Sequence, residues 1–256
     1  DASLAAEAGI DFIVVGDSLA MTLLGFDSTL PATMEMMELF VAATRRGLTG
    51  TYVPLVVGDM PLGSYQPSDE LAVTNACRLV QAGADIVKIE GCTLLILARI
   101  KAISEAGIGV MAHLGLQPQQ KALVGGWRVQ GKTAIEAAKL REEVGLAVKS
   151  GASIVLIEAV PAEVAKWVTE TVDTTVPIYG IGAGPGVDGQ LLVMSDLVGE
   201  FRAFKSRFAK RFGNVSREKA VALADYATAV RAGSFPDSET SYSMDPTEAA
   251  KLEPWR

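Results

Sequence analysis

The chain of 256 residues carries 23 Lys and Arg against 30 Asp and Glu, a formal charge of −7, with 49% hydrophobic residues, one His and two Cys. The acidic balance speaks against a nucleic-acid binder, which is ordinarily basic, and the apolar content excludes wholesale disorder. One His and two separated Cys cannot build a zinc or iron–sulfur site, so any metal must be a hard cation held by oxygens; no apolar run reaches the roughly 18 residues of a bilayer span.

The chain starts at Asp1 inside a helical pattern over residues 2–8, so we expect the natural N-terminus, with any targeting segment, to lie outside it. A local grammar then repeats: a helix, Ala-Gly or Ser-Gly, a β-branched run, a polar residue. Ala8-Gly9 leads to a strand ending at Gly16-Asp17. Residues 53–57 lead to Gly58-Asp59, and Ala82-Gly83 leads to 85–90, ending in Lys88-Ile89-Glu90. Ala106-Gly107 leads to 110–113, ending in His113, and Ser150-Gly151 leads to 154–158, ending in Glu158. Each Gly reads as a helix C-terminus, and each run is continuously apolar, as a strand buried on both faces should be. Residues 176–182 and 191–195 read as two more strands.

Seven strands alternating with helices predict a parallel α/β sheet. An open doubly wound sheet and a closed (β/α)8 TIM barrel both fit. The barrel is favoured because polar residues fall at the carboxyl ends of nearly every strand, where a barrel builds its site. A chain starting in its first helix would also have its first strand missing, which brings the count to eight. Cys77 and Cys92, in apolar contexts, are expected to be reduced and buried.

The connection 114–132, with Gly125-Gly126, is long enough to be a lid or binding loop, and a helix resumes over 133–149. Beyond the last strand, Phe201, Phe204, Phe208 and Phe212 recur at helical spacing among Arg202, Lys205, Arg207, Lys210 and Arg211. They predict an amphipathic helix packed on the barrel or on a neighbouring subunit. A further helix spans 216–232, and the polar tail after Pro236 should be extended or disordered. The expected division is a catalytic barrel, 1–199, and C-terminal helices and tail, 200–256.

The strand ends supply Asp17, Ser18, Asp59, Lys88, Glu90, His113 and Glu158. Taken singly, each has a plain structural reading: Asp after Gly is often a turn or cap residue, Lys88 and Glu90 can form an ion pair, and His113 can be a hydrogen-bonded core residue. Taken together they define a pocket. Lys88 and Glu90, two apart on a strand, share a face, and Asp17, Asp59 and Glu90 form an oxygen-only set suited to Mg²⁺. The glycine-rich run 180–186 either seats a phosphate or makes a tight bend.

Several motifs in register resemble ketopantoate hydroxymethyltransferase. They are Val15-Gly16-Asp17-Ser18-Leu19 with Asp27-Ser28-Thr29-Leu30-Pro31, Gly58-Asp59-Met60-Pro61, Val87-Lys88-Ile89-Glu90-Gly91, Ala112-His113-Leu114-Gly115-Leu116 with Pro118-Gln119, and Ile157-Glu158 with Val160-Pro161. The resemblance implies a (β/α)8 barrel that transfers a one-carbon unit from 5,10-methylenetetrahydrofolate to 3-methyl-2-oxobutanoate with Mg²⁺, on the way to pantothenate and coenzyme A. It implies Asp17, Asp59 and Glu90 at the metal, substrate contacts from Asp17, Ser18, Asp59, Lys88 and His113, and Glu158 as catalytic base.

It also implies a homo-oligomer, decamers included, acting on small molecules without nucleic acid or membrane. The implied compartment is the cytoplasm in bacteria and the mitochondrion in eukaryotes. Phe40, Leu62 and Ser195 depart from the family pattern outside the carboxylate set. Competing readings are another Mg²⁺-dependent barrel of the isocitrate lyase or phosphoenolpyruvate mutase type, a phosphate-sugar barrel resting on 180–186, and an inactive barrel scaffold.

Overall fold

Seven strands alternate with helices through the first three quarters of the chain, in a computed structural model that describes residues 1–123, 125–203 and 206–255. The strands are β1 (Phe12–Val15), β2 (Leu55–Asp59), β3 (Ile86–Glu90), β4 (Gly109–Gly115), β5 (Ile154–Glu158), β6 (Ile178–Ile181) and β7 (Gly189–Gln190). All neighbours pair in parallel, in the sequential order β1 to β7. The helices α1 (Ala2–Glu7), α2 (Leu19–Thr22), α3 (Met34–Arg46), α4 (Asp69–Ala82), α5 (Leu94–Glu105), α6 (Ala134–Lys149) and α7 (Ala162–Thr171) fill the connections.

The four longest helices between the strands start where the sequence supplies a hydroxyl. Thr33, Ser68, Thr93 and Thr133 each accept a hydrogen bond from the backbone N–H three residues on, and Thr133 with Glu136 completes a capping box. The strands are buried on both faces: in β4 every residue from Val110 to Leu114 is sequestered, including His113. The sheet is curled, since the rings of Phe12 on β1 and Tyr179 on β6 meet edge-on with centroids 4.9 Å apart.

Contacts divide the chain into two compact units, Asp1–Leu192 and Val193–Arg256. The second contains α8 (Met194–Leu197), α9 (Val215–Arg231) and the short α10 (Pro246–Ala249). Not one residue of α9 is buried.

Among the described residues the sheet has the seven parallel strands expected, curled and without pairing between β1 and β7. Four expectations are corrected. Residues 191–195 are not a strand. Pairing ends with the Leu191 N–H on the Gly180 carbonyl, because β6 stops at Ile181 and offers no further backbone; Ser195 lies in α8.

The phenylalanine stripe is not a helix in its described residues; Phe204 and Lys205 lie outside them. The segment closes on itself. Phe212 N–H donates to the Leu197 carbonyl, Val215 N–H to Val198, and Ser216 N–H to Gly199, whereas a straight helix would hold residues 199 and 213 about 20 Å apart. The tail is not wholly extended, since it contains α10 and a 3₁₀ turn over Ala250–Trp255.

Cys77 and Cys92 are free, as expected, but half-buried rather than buried. Burial and the neighbouring Glu143 push the Cys92 thiol up to about 12, and its Sγ donates to the Glu143 carbonyl at 3.2 Å. Iodoacetamide at pH 8 should therefore modify Cys92 about a thousandfold more slowly than a free thiol. Peptide mass spectrometry of the time course checks this.

Candidate active site

Parallel pairing places the polar strand ends side by side. Asp59 is in register with Lys88, Glu90 with His113, and Gly115 with Glu158. Asp17 follows β1 and donates its backbone N–H to Asp59 Oδ2 at 2.9 Å. The sheet thus brings Asp17, Asp59, Lys88, Glu90, His113 and Glu158 into one cluster. Asp17, Asp59, Lys88, Glu90 and His113 are all buried, and the Glu158 side chain is 13% exposed. Ser18 is half-buried beside Asp17 at the N-terminus of α2, where its hydroxyl makes no capping bond.

Two glycines allow this crowding. Gly115 (φ +81°) ends β4, where a Cβ would lie 2.4 Å from the Glu158 carbonyl; Leu116 N–H bonds that same oxygen. Gly91 (φ +105°) follows β3, and a Cβ there would press on the side chains of Gln120 and Gln117. Ala159, directly after Glu158, has φ +50°, a conformation that costs a non-glycine residue about 1 kcal/mol and is held by hydrogen bonds to Ile181 and Gln130.

Lys88 Nζ lies 2.8 Å from Asp59 Oδ1 and 3.7 Å from Glu90 Oε1. Burial opposes its charge, but Asp59, Glu90 and Asp17 outweigh it and hold the ammonium well above the ordinary lysine range. His113 stands between two acids, with Nδ1 3.3 Å from Glu90 Oε1 and Nε2 3.0 Å from Glu158 Oε2. Burial and Lys88 both push the imidazole toward neutrality, yet its contacts with Glu158 and Glu90 lift it to about 9.

Burial would raise Glu90, but its contacts with His113 and Lys88 hold it below the usual carboxylate range. Asp17 and Asp59 go the other way. Burial raises both, and repulsion from neighbouring carboxylates adds to it.

The balance of charge defines what this cluster lacks. Four carboxylates face one ammonium and one imidazolium, which leaves the cluster two positive charges short. Buried carboxylates in that state take up protons or bind a cation. Asp59 Oδ1 and Glu90 Oε1 are buried and face only the cations Lys88, at 2.8 Å, and His113, at 3.3 Å, and hard oxygen donors of this kind suit a divalent cation such as Mg²⁺. Among the described residues no three acids, His or Cys already stand in a closed metal-binding arrangement; Lys88 occupies part of the space between Asp59 and Glu90.

The raised imidazole has a consequence for stability. A group whose proton is held more tightly in the folded state stabilises fully below its unfolded value, near 6.5, and loses that contribution as pH rises through about 9. The EDTA-treated protein should lose about 3 kcal/mol between those limits. Urea melts of wild type and His113→Gln check it, the variant having a flatter profile.

Sequence reasoning missed the second layer around the acids. Gln119, buried in the 3₁₀ turn Pro118–Gln120, donates its backbone N–H to Glu90 Oε2 and its Nε2 to Asp17 Oδ2, each at 3.0 Å. Tyr65, fully buried, hydrogen-bonds both Gln119 and Glu90. The sequence signals were the position of Gln119 in the long connection after β4 and its place in the motif Pro118-Gln119, neither of which showed what its side chain holds. The run 180–186 is a bend with Gly182 and Gly184 at positive φ.

Among the described residues no helix is long and apolar enough to cross a membrane. A family profile for ketopantoate hydroxymethyltransferase matches residues 1–238. The chain is similar to 3-methyl-2-oxobutanoate hydroxymethyltransferase of Alkaliphilus metalliredigens, with 43% identity over 96% of this chain and 86% of that protein. It is similar to the enzyme of that name from Caldicellulosiruptor saccharolyticus, with 47% identity over 91% and 86%, and to the one from Nitrosopumilus maritimus, with 42% over 98% and 88%.

Among solved structures it is similar in fold to a phosphonopyruvate hydrolase (TM-score 0.57, 14% identity, 99% of this chain and 86% of that one). It is also similar in fold to 2,3-dimethylmalate lyase, a PEP mutase/isocitrate lyase superfamily member (TM-score 0.55, 15%, 99% and 89%). At such identities those structures speak for the fold alone, whereas the family profile and the relatives above 40% identity decide the affiliation: the chain belongs to the ketopantoate hydroxymethyltransferase family.

Proposed function

We propose that this chain transfers the one-carbon unit of 5,10-methylenetetrahydrofolate to C3 of 3-methyl-2-oxobutanoate, giving ketopantoate for pantothenate synthesis, with Glu158 as the base and Mg²⁺ as the cation. The observation that carries the reading is the set of four carboxylates around Lys88 and His113, three of them buried, two positive charges short of balance, in a chain of this family. Asp17, Asp59 and Glu90 would hold the cation. When bound, it would supply the positive charge that draws electrons toward the keto and carboxylate oxygens of the 2-oxo acid.

The remaining work falls to the chain's own side chains. Glu158, on β5 and beyond hydrogen-bond reach of the Asp59–Lys88 pair, takes the C3 proton. His113 fixes the Glu158 carboxylate from one side at 3.0 Å. Lys88 faces the negative charge that develops on the oxo acid, and Ser18 offers its hydroxyl to the substrate carboxylate. Water adds to the folate methylene and its two C–N bonds break, releasing tetrahydrofolate and a one-carbon unit at the formaldehyde level. The C3 carbon, left with the electron pair of the broken C–H bond, bonds that carbon, and the C=O pair moves onto the oxygen, which takes up a proton. The Glu158 side chain, 13% exposed, can trade the proton it takes with solvent. On this reading the enzyme works as a homo-oligomer on small molecules alone.

The test is product formation. Mass spectrometry should find ketopantoate when protein, both substrates and Mg²⁺ are combined, and a rate at least about a hundredfold lower with excess EDTA. Turnover unaffected by EDTA would remove the cation from the scheme; no turnover with Mg²⁺ present would remove the activity.

A further inference from the structure

The acids of the cluster come from separate strand ends, and two of them are held by a residue that has no part in the scheme above. Gln119 reaches three strand ends at once. Its backbone N–H donates to Glu90 Oε2 (3.0 Å), and its Nε2 donates to Asp17 Oδ2 (3.0 Å) and to the Met60 carbonyl just past β2 (3.0 Å). Both Nε2 protons are thereby used, and both fall on acceptors.

The orientation of that amide is decided by Tyr65. The Tyr65 hydroxyl accepts the Glu90 backbone N–H (3.1 Å), so its single proton is free to go to Gln119 Oε1 at 2.8 Å; the other acceptor, the Glu90 carbonyl, is more distant at 3.4 Å. With Oε1 committed to a donor, Nε2 must face Asp17. Burial and the neighbouring Glu90 raise Tyr65 above the ordinary phenol range, so the hydroxyl keeps that proton. The tyrosine is tied down in turn by Arg99 on α5, which donates Nε to the Tyr65 carbonyl at 2.9 Å and Nη2 to the Gln66 carbonyl at 3.1 Å. Arg99, Tyr65 and Gln119 are all buried.

We propose that Gln119, its amide locked by Tyr65, is the positioning residue that holds Asp17 and Glu90 in the arrangement the divalent cation and the 2-oxo acid require. Two buried carboxylates left alone would turn away from each other, and Asp17 already suffers from burial and from Asp59 and Glu90. A neutral amide that donates to one acid through its side chain and to the other through its backbone fixes both without adding charge. The turn Pro118–Gln120 that carries it couples the connection after β4 to the metal-ligand set. Residues that orient ligands in this way commonly account for ten- to hundredfold in metal affinity.

This inference rests on the assignment of Asp17 and Glu90 to the cation, and the experiment separates the two. Isothermal titration with Mg²⁺ is run on wild type, Gln119→Leu, Tyr65→Phe and the double variant, each checked for folding by its melting curve. Gln119→Leu should bind Mg²⁺ about tenfold or more weakly. Tyr65→Phe, which frees the amide to flip, should weaken binding by about three- to tenfold, and the double variant should be no weaker than Gln119→Leu, because both act through one bridge.

In steady-state assays at saturating Mg²⁺ the KM for 3-methyl-2-oxobutanoate should rise more than kcat falls, since Glu158 is untouched. A merely structural role would lower the melting temperature and leave Mg²⁺ affinity alone. Affinities within about twofold of wild type in both single variants, or losses that multiply in the double variant, overturn the proposal while leaving the metal assignment standing. A wild-type protein that takes no Mg²⁺ overturns both.

Discussion

Glu158→Gln should lower kcat by about a thousandfold, the range typical of losing a positioned general base, while Mg²⁺ affinity stays within about threefold of wild type. The split follows from the geometry. Among the described residues the Glu158 side chain pairs with His113, at 3.0 Å, and forms no ion pair with Lys88. A glutamine keeps the size and can still accept from His113, so the fold and the cation site survive while the proton acceptor is lost. Steady-state kinetics with calorimetry on the same preparation measure both quantities. A variant that lost metal affinity and kept kcat would assign Glu158 to the cation instead.

Removing Lys88 should have the largest effect on stability. Its ammonium is buried and lies 2.8 Å from Asp59 and 3.7 Å from Glu90. Lys88→Met keeps the length and apolar stem but leaves four carboxylates with His113 as their only cationic partner in the cluster. Breaking a buried ion pair from one side costs about 3–5 kcal/mol, equivalent to roughly 10 °C in melting temperature for a chain of this size. The loss should be greatest in EDTA. Mg²⁺ should restore more stability to the variant than it adds to wild type, because a bound cation now relieves a larger excess of negative charge. Differential scanning calorimetry with EDTA and with Mg²⁺ gives the four values needed; melting of the variant within about 2 °C of wild type in EDTA would show that Lys88 is not what balances the acids.

The strand ends were legible because a parallel sheet leaves little freedom. A buried strand must be apolar throughout, so a polar residue at its carboxyl end stands out, and pairing in register then decides who its neighbours are. Asp59 beside Lys88 and Glu90 beside His113 follow from that rule. What was not legible lay in residues whose role depends on a non-local partner. Gln119 in a loop has the composition of a solvated turn until Tyr65, 54 residues away in sequence, is seen to lock its amide.

Ala159 gives no sign in the sequence of its positive φ. The phenylalanines from Phe201 onward keep a helical spacing, but the bonds linking Leu197, Val198 and Gly199 to Phe212, Val215 and Ser216 override local periodicity. Residues 191–195 failed for a related reason: an apolar run needs a neighbouring backbone to become a strand, and β6 is too short to provide one.

The central claim is that Glu158 removes the C3 proton of a 2-oxo acid held in this cluster, and it can be tested without the folate. Proton NMR of 3-methyl-2-oxobutanoate in deuterated solvent, with Mg²⁺ present, follows exchange at C3 directly. The account predicts ready exchange with the wild-type protein and exchange about a thousandfold slower with Glu158→Gln. Exchange by Glu158→Gln at the wild-type rate would contradict it.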